Sequence, residues 1–150
     1  MTKDEKDLLL KDISARLPYG AKAYVRHYSK LDRKWYEGIY TIGSACPRTN
    51  EIYVASETGS VDVLVGYDDF EIKPYLLPLS SMTIEKKGEC PCGWSMIDAW
   101  IDGKIYLYED EELNIDEIIN MLDWLNKNHF DYRNLIPLGL AIDATNLNIY

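Results

Sequence analysis

The sequence has only two histidines and three cysteines, and no apolar run approaching the roughly 20 residues that a membrane-spanning helix requires. A small, odd cysteine count does not build a disulfide framework and fits a reducing compartment. There is no phosphate-cradling glycine loop, no dinucleotide glycine pattern, no G-x-S-x-G elbow and no H-E-x-x-H pair, so the usual signatures of nucleotide-dependent, hydrolytic and zinc-peptidase chemistry are missing. No internal repeat or low-complexity stretch is visible. The amino terminus, Met1 to Asp7, is charged where a secretory signal would be apolar. These absences predict a cytoplasmic protein with no membrane contact and no cofactor, and they argue against an enzyme.

With 47% hydrophobic and 27% charged residues, the 150-residue chain has the composition of one folded domain, long enough to bury roughly two-thirds of its unfolded surface. Twelve Tyr and four Trp stand against two Phe. Such rings favour boundaries where one end is apolar and the other finds water, as on half-buried sheet faces or binding surfaces. The net charge of -9 is unevenly distributed: residues 1 to 50 carry ten Lys or Arg against six Asp or Glu, a balance of +4, and residues 51 to 150 carry six against nineteen, a balance of -13. The acidic excess opposes nonspecific attraction to nucleic acid or anionic lipid, while a local basic patch still acts within a Debye length of roughly 8 Å.

Thr2 and Glu5 have capping-box spacing, and Leu9, Leu10, Ile13 and Leu17 follow at helical intervals, which predicts a helix over Lys3 to Arg16 with Asp7 and Lys11 on its outer side. Pro18-Tyr19-Gly20 ends it. The amino-terminal unit is therefore residues 1–20. Over residues 21–73 the texture changes to short Val, Ile, Tyr and Thr runs between turn residues, with strands expected at Ala23 to Tyr28, Trp35 to Ile42, Glu51 to Ser56, Val61 to Val65 and Phe70 to Lys73. Pro74 and Pro78 should break regular structure and open a connector, residues 74–93, in which Ser80 to Lys87 starts a short helix. Asp102-Gly103 predicts a β-hairpin over 94–108. Asn114 should cap a last helix whose stripe is Ile115, Ile118, Ile119, Leu122 and Leu125, widened by Met121 and Trp124, with Leu122 in the core. Asp131 should cap a further turn that Gly139 ends, leaving an apolar tail that docks; this closing unit is 114–150. The expected fold is α+β: a curled antiparallel sheet or small SH3-like barrel, an amino-terminal helix, and a carboxy-terminal helix plus docked tail.

Four clusters carry chemistry in principle. Cys90-Pro91-Cys92-Gly93 approximates a zinc knuckle but has one residue between its thiols where the knuckle has two; completing a site would need Cys46 and His27 or His129 to converge from afar, so Cys90, Cys92 and His129 are weak metal candidates and ordinary loop cysteines are the expectation. Between Arg16 and Tyr36, cations alternate with rings: Tyr24, Arg26 and Tyr28 should share one strand face, and Lys34, Trp35 and Tyr36 follow across a turn. Cations with rings suit single-stranded nucleic acid; a charged edge strand guarded against aggregation is the plainer reading. The acidic run Glu109 to Glu112, with Asp116 and Glu117, lacks the alternation and glycine turn of a calcium loop and reads as a solvated helix start. His129 to Arg133 places an imidazole, a carboxylate, a phenol and a guanidinium within five residues, yet capping by Asp131 and pairing of Arg133 with a nearby carboxylate explain the same residue types.

The segments Leu8-Leu9-Leu10-Lys11-Asp12 with Ala15 to Gly20, Lys73-Pro74-Tyr75-Leu76 through Leu79-Ser80-Ser81-Met82-Thr83, and Trp124-Leu125-Asn126 with His129 to Leu140 resemble those of a family of uncharacterised small bacterial and prophage-like proteins. The resemblance implies membership along nearly the whole chain and a prophage or mobile-element setting, but no activity. The expected function is that of a noncatalytic binding or adaptor protein with a protein partner, its contact surface the aromatic face of the hairpin bearing Tyr24, Arg26, Tyr28, Lys34, Trp35 and Tyr36. The alternatives are nucleic-acid binding by the basic aromatic hairpin, residues 22–36, and a metal or thiol site at Cys90 and Cys92.

Overall fold

The computed structural model describes residues 1–57, 59–91 and 115–150. Helix α1 spans Lys3–Arg16, and its start is the capping box expected: the Thr2 hydroxyl accepts from the Glu5 amide at 3.2 Å, and the Glu5 carboxylate accepts from the Thr2 amide at 2.7 Å. Leu9, Leu10 and Ile13 are buried. A 3-10 turn, Leu17–Tyr19, follows, and Gly20, at φ 66°, reverses the chain in a conformation that costs glycine nothing.

The sheet comprises β1 (Lys22–Ser29), β2 (Lys34–Cys46), β3 (Glu51–Ser56), β4 (Gly59–Leu64), β5 (Phe70–Leu76) and β6 (Ile142–Asp143), in the order β4-β3-β2-β1-β5-β6. The pairings among β1 to β5 are antiparallel, and β6 joins β5 in parallel. With β4 and β6 at separate edges, the sheet stays open and curled and does not close into a barrel. A bulge in β2 between Ile42 and Ser44 is centred on Gly43, where a Cβ would stand 2.8 Å from the Tyr53 ring; the missing side chain lets that ring lie across the strand. β5 continues through Pro74 instead of stopping before it, pairing Ala23 with Pro74. The β6 ladder begins only at Tyr75, so the proline's lost N–H falls where no partner strand asks for it.

Strand alternation sends one side chain set inward. Ala23, Val25, Ile42, Ile52, Val54, Val63 and Ile72 form a core with Leu9, Leu10 and Ile13 of α1 and with Leu135, Leu140 and Ala141 of the closing segment. A second cluster, Met82, Cys90, Met121, Leu125 and Phe130, packs the connector against the last helix. The connector includes the 3-10 turn Leu79–Ser81 and helix α2, Ile84–Gly88, capped by the Thr83 hydroxyl. Helix α3 spans Ile115–Lys127. Its buried side is centred on Met121 and Leu125, not on Leu122, which is half-buried at the edge; Ile115 and Ile119 are exposed, correcting the stripe assigned to them. The 94–108 hairpin, the acidic run Glu109 to Glu112 and the Asn114 cap lie outside the described residues. Among those described, no helix is long and apolar enough to cross a membrane.

Beyond α3 the chain turns through His129, at φ 58°, and bonds along β5: the Leu77 amide donates to the His129 carbonyl (2.9 Å), the Asp131 amide to the Leu77 carbonyl (2.7 Å) and the Ala144 amide to the Leu76 carbonyl (2.8 Å). The apolar tail thus docks at the sheet edge. Truncating Leu125 to alanine should cost about 2–5 kcal/mol in urea unfolding, against less than about 0.5 kcal/mol for Ile119→Ala; similar losses at the two positions would put the buried side of α3 elsewhere.

Candidate functional site

On β1, residues of even number point away from the core, and the antiparallel register aligns them with odd-numbered residues of β2: Tyr24 with Ile39, Arg26 with Glu37, Tyr28 with Trp35. On the other side, Lys73 and Glu71 of β5 align with Tyr24 and Arg26. Among the described residues no helix or strand covers this face, and Trp35 (46%), Ile39 (49%) and Tyr53 (41%) are exposed on it. Its side chains are nonetheless ordered by one another. The Arg26 guanidinium stacks 4.4 Å from the Trp35 ring, and Tyr28 tilts against the same ring at 5.4 Å. The Tyr24 hydroxyl donates to Glu37 at 2.6 Å, an arrangement that pushes its pKa up to about 12 because the neighbouring carboxylate favours the protonated phenol. Lys73 lies 3.1 Å from Glu71. At one end, Lys22 Nζ donates to the Ile149 carbonyl at 2.6 Å and the Tyr150 hydroxyl to the Tyr75 carbonyl at 2.8 Å, so the tail meets the face there. A cleft of about 420 Å³ opens between β1, β2 and β3, lined by Lys22, Glu37, Ile39, Thr41, Ala55 and Glu57 among others.

The structure therefore groups Tyr24, Arg26, Tyr28 and Trp35 and separates them from Lys34 and Tyr36, which fall on the opposite face of the hairpin; there the Tyr36 ring stacks on His27 at 5.6 Å. Sequence reasoning missed Glu37, Ile39 and Tyr53. The alternation of β2 held the signal: counting in twos from Trp35 gives Glu37 and Ile39. The hairpin apex is built by Ser29, whose hydroxyl donates to the Asp32 carboxylate at 3.0 Å and accepts from the Asp32 amide at 3.3 Å. Tyr36 Oη donates to the same carboxylate at 3.0 Å.

The second concentration of polar groups is internal. Arg16 is fully buried and makes a two-point contact with Asp12, Nε to Oδ2 at 2.8 Å and Nη2 to Oδ1 at 3.0 Å, while Nη2 also donates to the Phe130 carbonyl at 2.8 Å. Arg133 approaches Asp12 at 3.3 Å, and the Tyr132 ring lies beneath both guanidinium groups. Asp131 accepts from the Leu135 and Ile136 amides, each at 2.8 Å, and the Tyr132 hydroxyl donates to Asn126 Oδ1 at 3.0 Å. Each member of the His129 to Arg133 run is thus engaged in closing the fold. His129 is 6% exposed and stacks on Tyr150 with centroids 3.7 Å apart; burial, and then the Arg16 guanidinium nearby, push its pKa down to about 4. A neutral imidazole sealed under a tyrosine is poorly placed to exchange protons with a substrate.

Cys90 is buried in the second apolar cluster, Cys46 is exposed at the end of β2, and Cys92 lies outside the described residues. Among the described residues no three His, Cys, Asp or Glu side chains gather in a way that would hold a metal. No family model, curated protein or solved structure matches the chain.

The His129 geometry generates a pH signature. The unfolded imidazole takes a proton below about 6.5, whereas the folded one stays neutral to about 4, so stability from this group is complete above pH 7 and is lost as pH falls through that window. The loss should be on the order of 1–3 kcal/mol. In His129→Asn, which tolerates the left-handed backbone, unfolding measured between pH 7 and 4.5 should show a shallower slope; identical slopes would mean the imidazole is solvated.

Proposed function

We propose that the protein is a noncatalytic docking or adaptor protein that binds a protein partner through the open face of its sheet, centred on Trp35, Arg26, Tyr28 and Ile39. One observation carries this reading: exposed aromatic and aliphatic side chains stand in a preordered row on a face whose opposite side supplies the core. Trp, Tyr and Arg are the residues that most often dominate protein interfaces; the rings bring large contact area with little side-chain entropy to lose, and Arg26 is already held against Trp35. The segments resembling uncharacterised prophage-like bacterial proteins add a prophage or mobile-element setting to the proposal and no activity.

Charge favours a protein over nucleic acid. Phosphate binding draws on cations that are free to displace counterions. On this face Arg26 sits between Glu37 and Glu71 in register and is stacked on Trp35, and Lys73 is paired with Glu71. The reading based on Cys90 and Cys92 is weaker still, since Cys90 is a core residue.

The test is site-specific photocrosslinking from position 39 in cells, with Lys11 on the exposed side of α1 as control, followed by titration of the identified partner in purified form. The partner should crosslink from position 39 and bind about tenfold or more weakly to Trp35→Ala and Ile39→Asp. A partner captured only from position 11, or bound equally by wild type and both variants, would refute the assignment.

A further inference from the structure

Accepting the docking reading, we propose that the apex of the β1–β2 hairpin selects the partner, by capturing a protein segment in which carboxylates flank an apolar side chain. Leu31, at the apex, is 92% exposed, more than any other large apolar residue described. A leucine held in water on a turn that has its own internal hydrogen bonds is ready to enter an apolar contact without rearrangement.

The charges around it are asymmetric. Asp32, the only acid between Ser29 and Trp35, is engaged by the Ser29 and Tyr36 hydroxyls. Lys30 leans on Asp69 at 3.5 Å, an exposed pair that contributes little. The side chains of Arg33 and Lys34 have no hydrogen-bond or ion-pair partner among the described residues, and Arg33 takes a left-handed backbone, φ 54°. Two uncommitted cations therefore border an exposed aliphatic side chain on a molecule of net charge -9. The net charge of the molecule repels an acidic segment; at the apex such a segment meets attraction that acts over about a Debye length and an apolar contact at its centre.

The same geometry disfavours a nucleic acid at the apex. An aliphatic leucine offers no stacking platform, one side of the Trp35 ring is occupied by Arg26, and the Asp69 carboxylate, 3.5 Å from Lys30, adds a negative charge near the apex. Separate carboxylates on a peptide can meet Arg33 and Lys34.

The experiment uses the full chain and three fluorescent peptides of equal length, each with a central leucine flanked on both sides by Glu, by Gln or by Lys, together with a labelled oligodeoxythymidine, read by anisotropy at low and physiological salt. The Glu peptide should bind best, weaken with salt, and lose about tenfold or more in affinity with Arg33→Glu/Lys34→Glu and with Leu31→Ser. The double charge variant should in turn prefer the Lys peptide, a swap that a misfolded protein would not produce. Equal binding of the Gln peptide, preferential binding of the oligonucleotide, no detectable binding of any probe, or indifference to the apex substitutions would overturn the proposal. If Glu-peptide binding survives the apex changes but is lost in Ile39→Asp, the apex assignment fails while docking by the open face stands.

Discussion

The fold depends on an ion pair that has no access to water. Burying Arg16 and Asp12 removes two charges from solvent, which costs several kcal/mol per ion unless their hydrogen bonds are met in good geometry. Asp12 meets Arg16 at two points, but the remaining Arg16 contact is a backbone carbonyl 114 residues away, at Phe130. The pair on the opening helix therefore gains its third hydrogen bond only when the closing segment is in place, and Arg16 Nη1 stays without a partner among the described residues. Arg133 and the Tyr132 ring complete the same arrangement from that segment, and Asp131 folds the next turn around itself. His129, beside this arrangement, is held neutral first by its burial and then by the nearby Arg16 guanidinium.

This closure decides where a binding surface can be. Helix α1 and the tail both seal the core side of the sheet, and the tail reaches the opposite side only at its Lys22 end. The rest of that side carries Tyr24, Arg26, Tyr28 and Trp35, ordered by mutual contacts and, among the described residues, not by cover. Binding residues are disproportionately found on loops that a rigid scaffold positions. The hairpin apex, where Leu31 projects beside the cations Arg33 and Lys34, extends this logic.

Much of the fold was legible because local signals were strong. The Thr2–Glu5 box and the Leu9, Leu10, Ile13 spacing place α1 at its observed bounds, and the period-two texture finds β1 to β5. Three features escaped for identifiable reasons. Pro74 reads as a breaker unless the neighbouring strand is known to begin one residue later. The stripe of α3 is wide enough that sequence alone cannot choose between Ile119 and Met121; packing against Met82 and Phe130 makes the choice. Asp12 and Arg16 have ordinary i,i+4 spacing for a solvated pair, and only the arrival of Phe130 turns them inward. Of the site residues, alternation grouped Tyr24, Arg26 and Tyr28 correctly, whereas Lys34 and Tyr36 were joined to them by proximity in sequence, which register overrules.

The most direct test of the account is the difference in unfolding free energy between Asp12→Leu and the double variant Asp12→Leu/Arg16→Met. If the buried pair ties α1 to the closing segment, Asp12→Leu strands the Arg16 charge and should lose about 3–5 kcal/mol, and removing that charge as well should restore half or more of the loss. A cost for Asp12→Leu below about 1 kcal/mol, or a double variant no more stable than the single one, would contradict it.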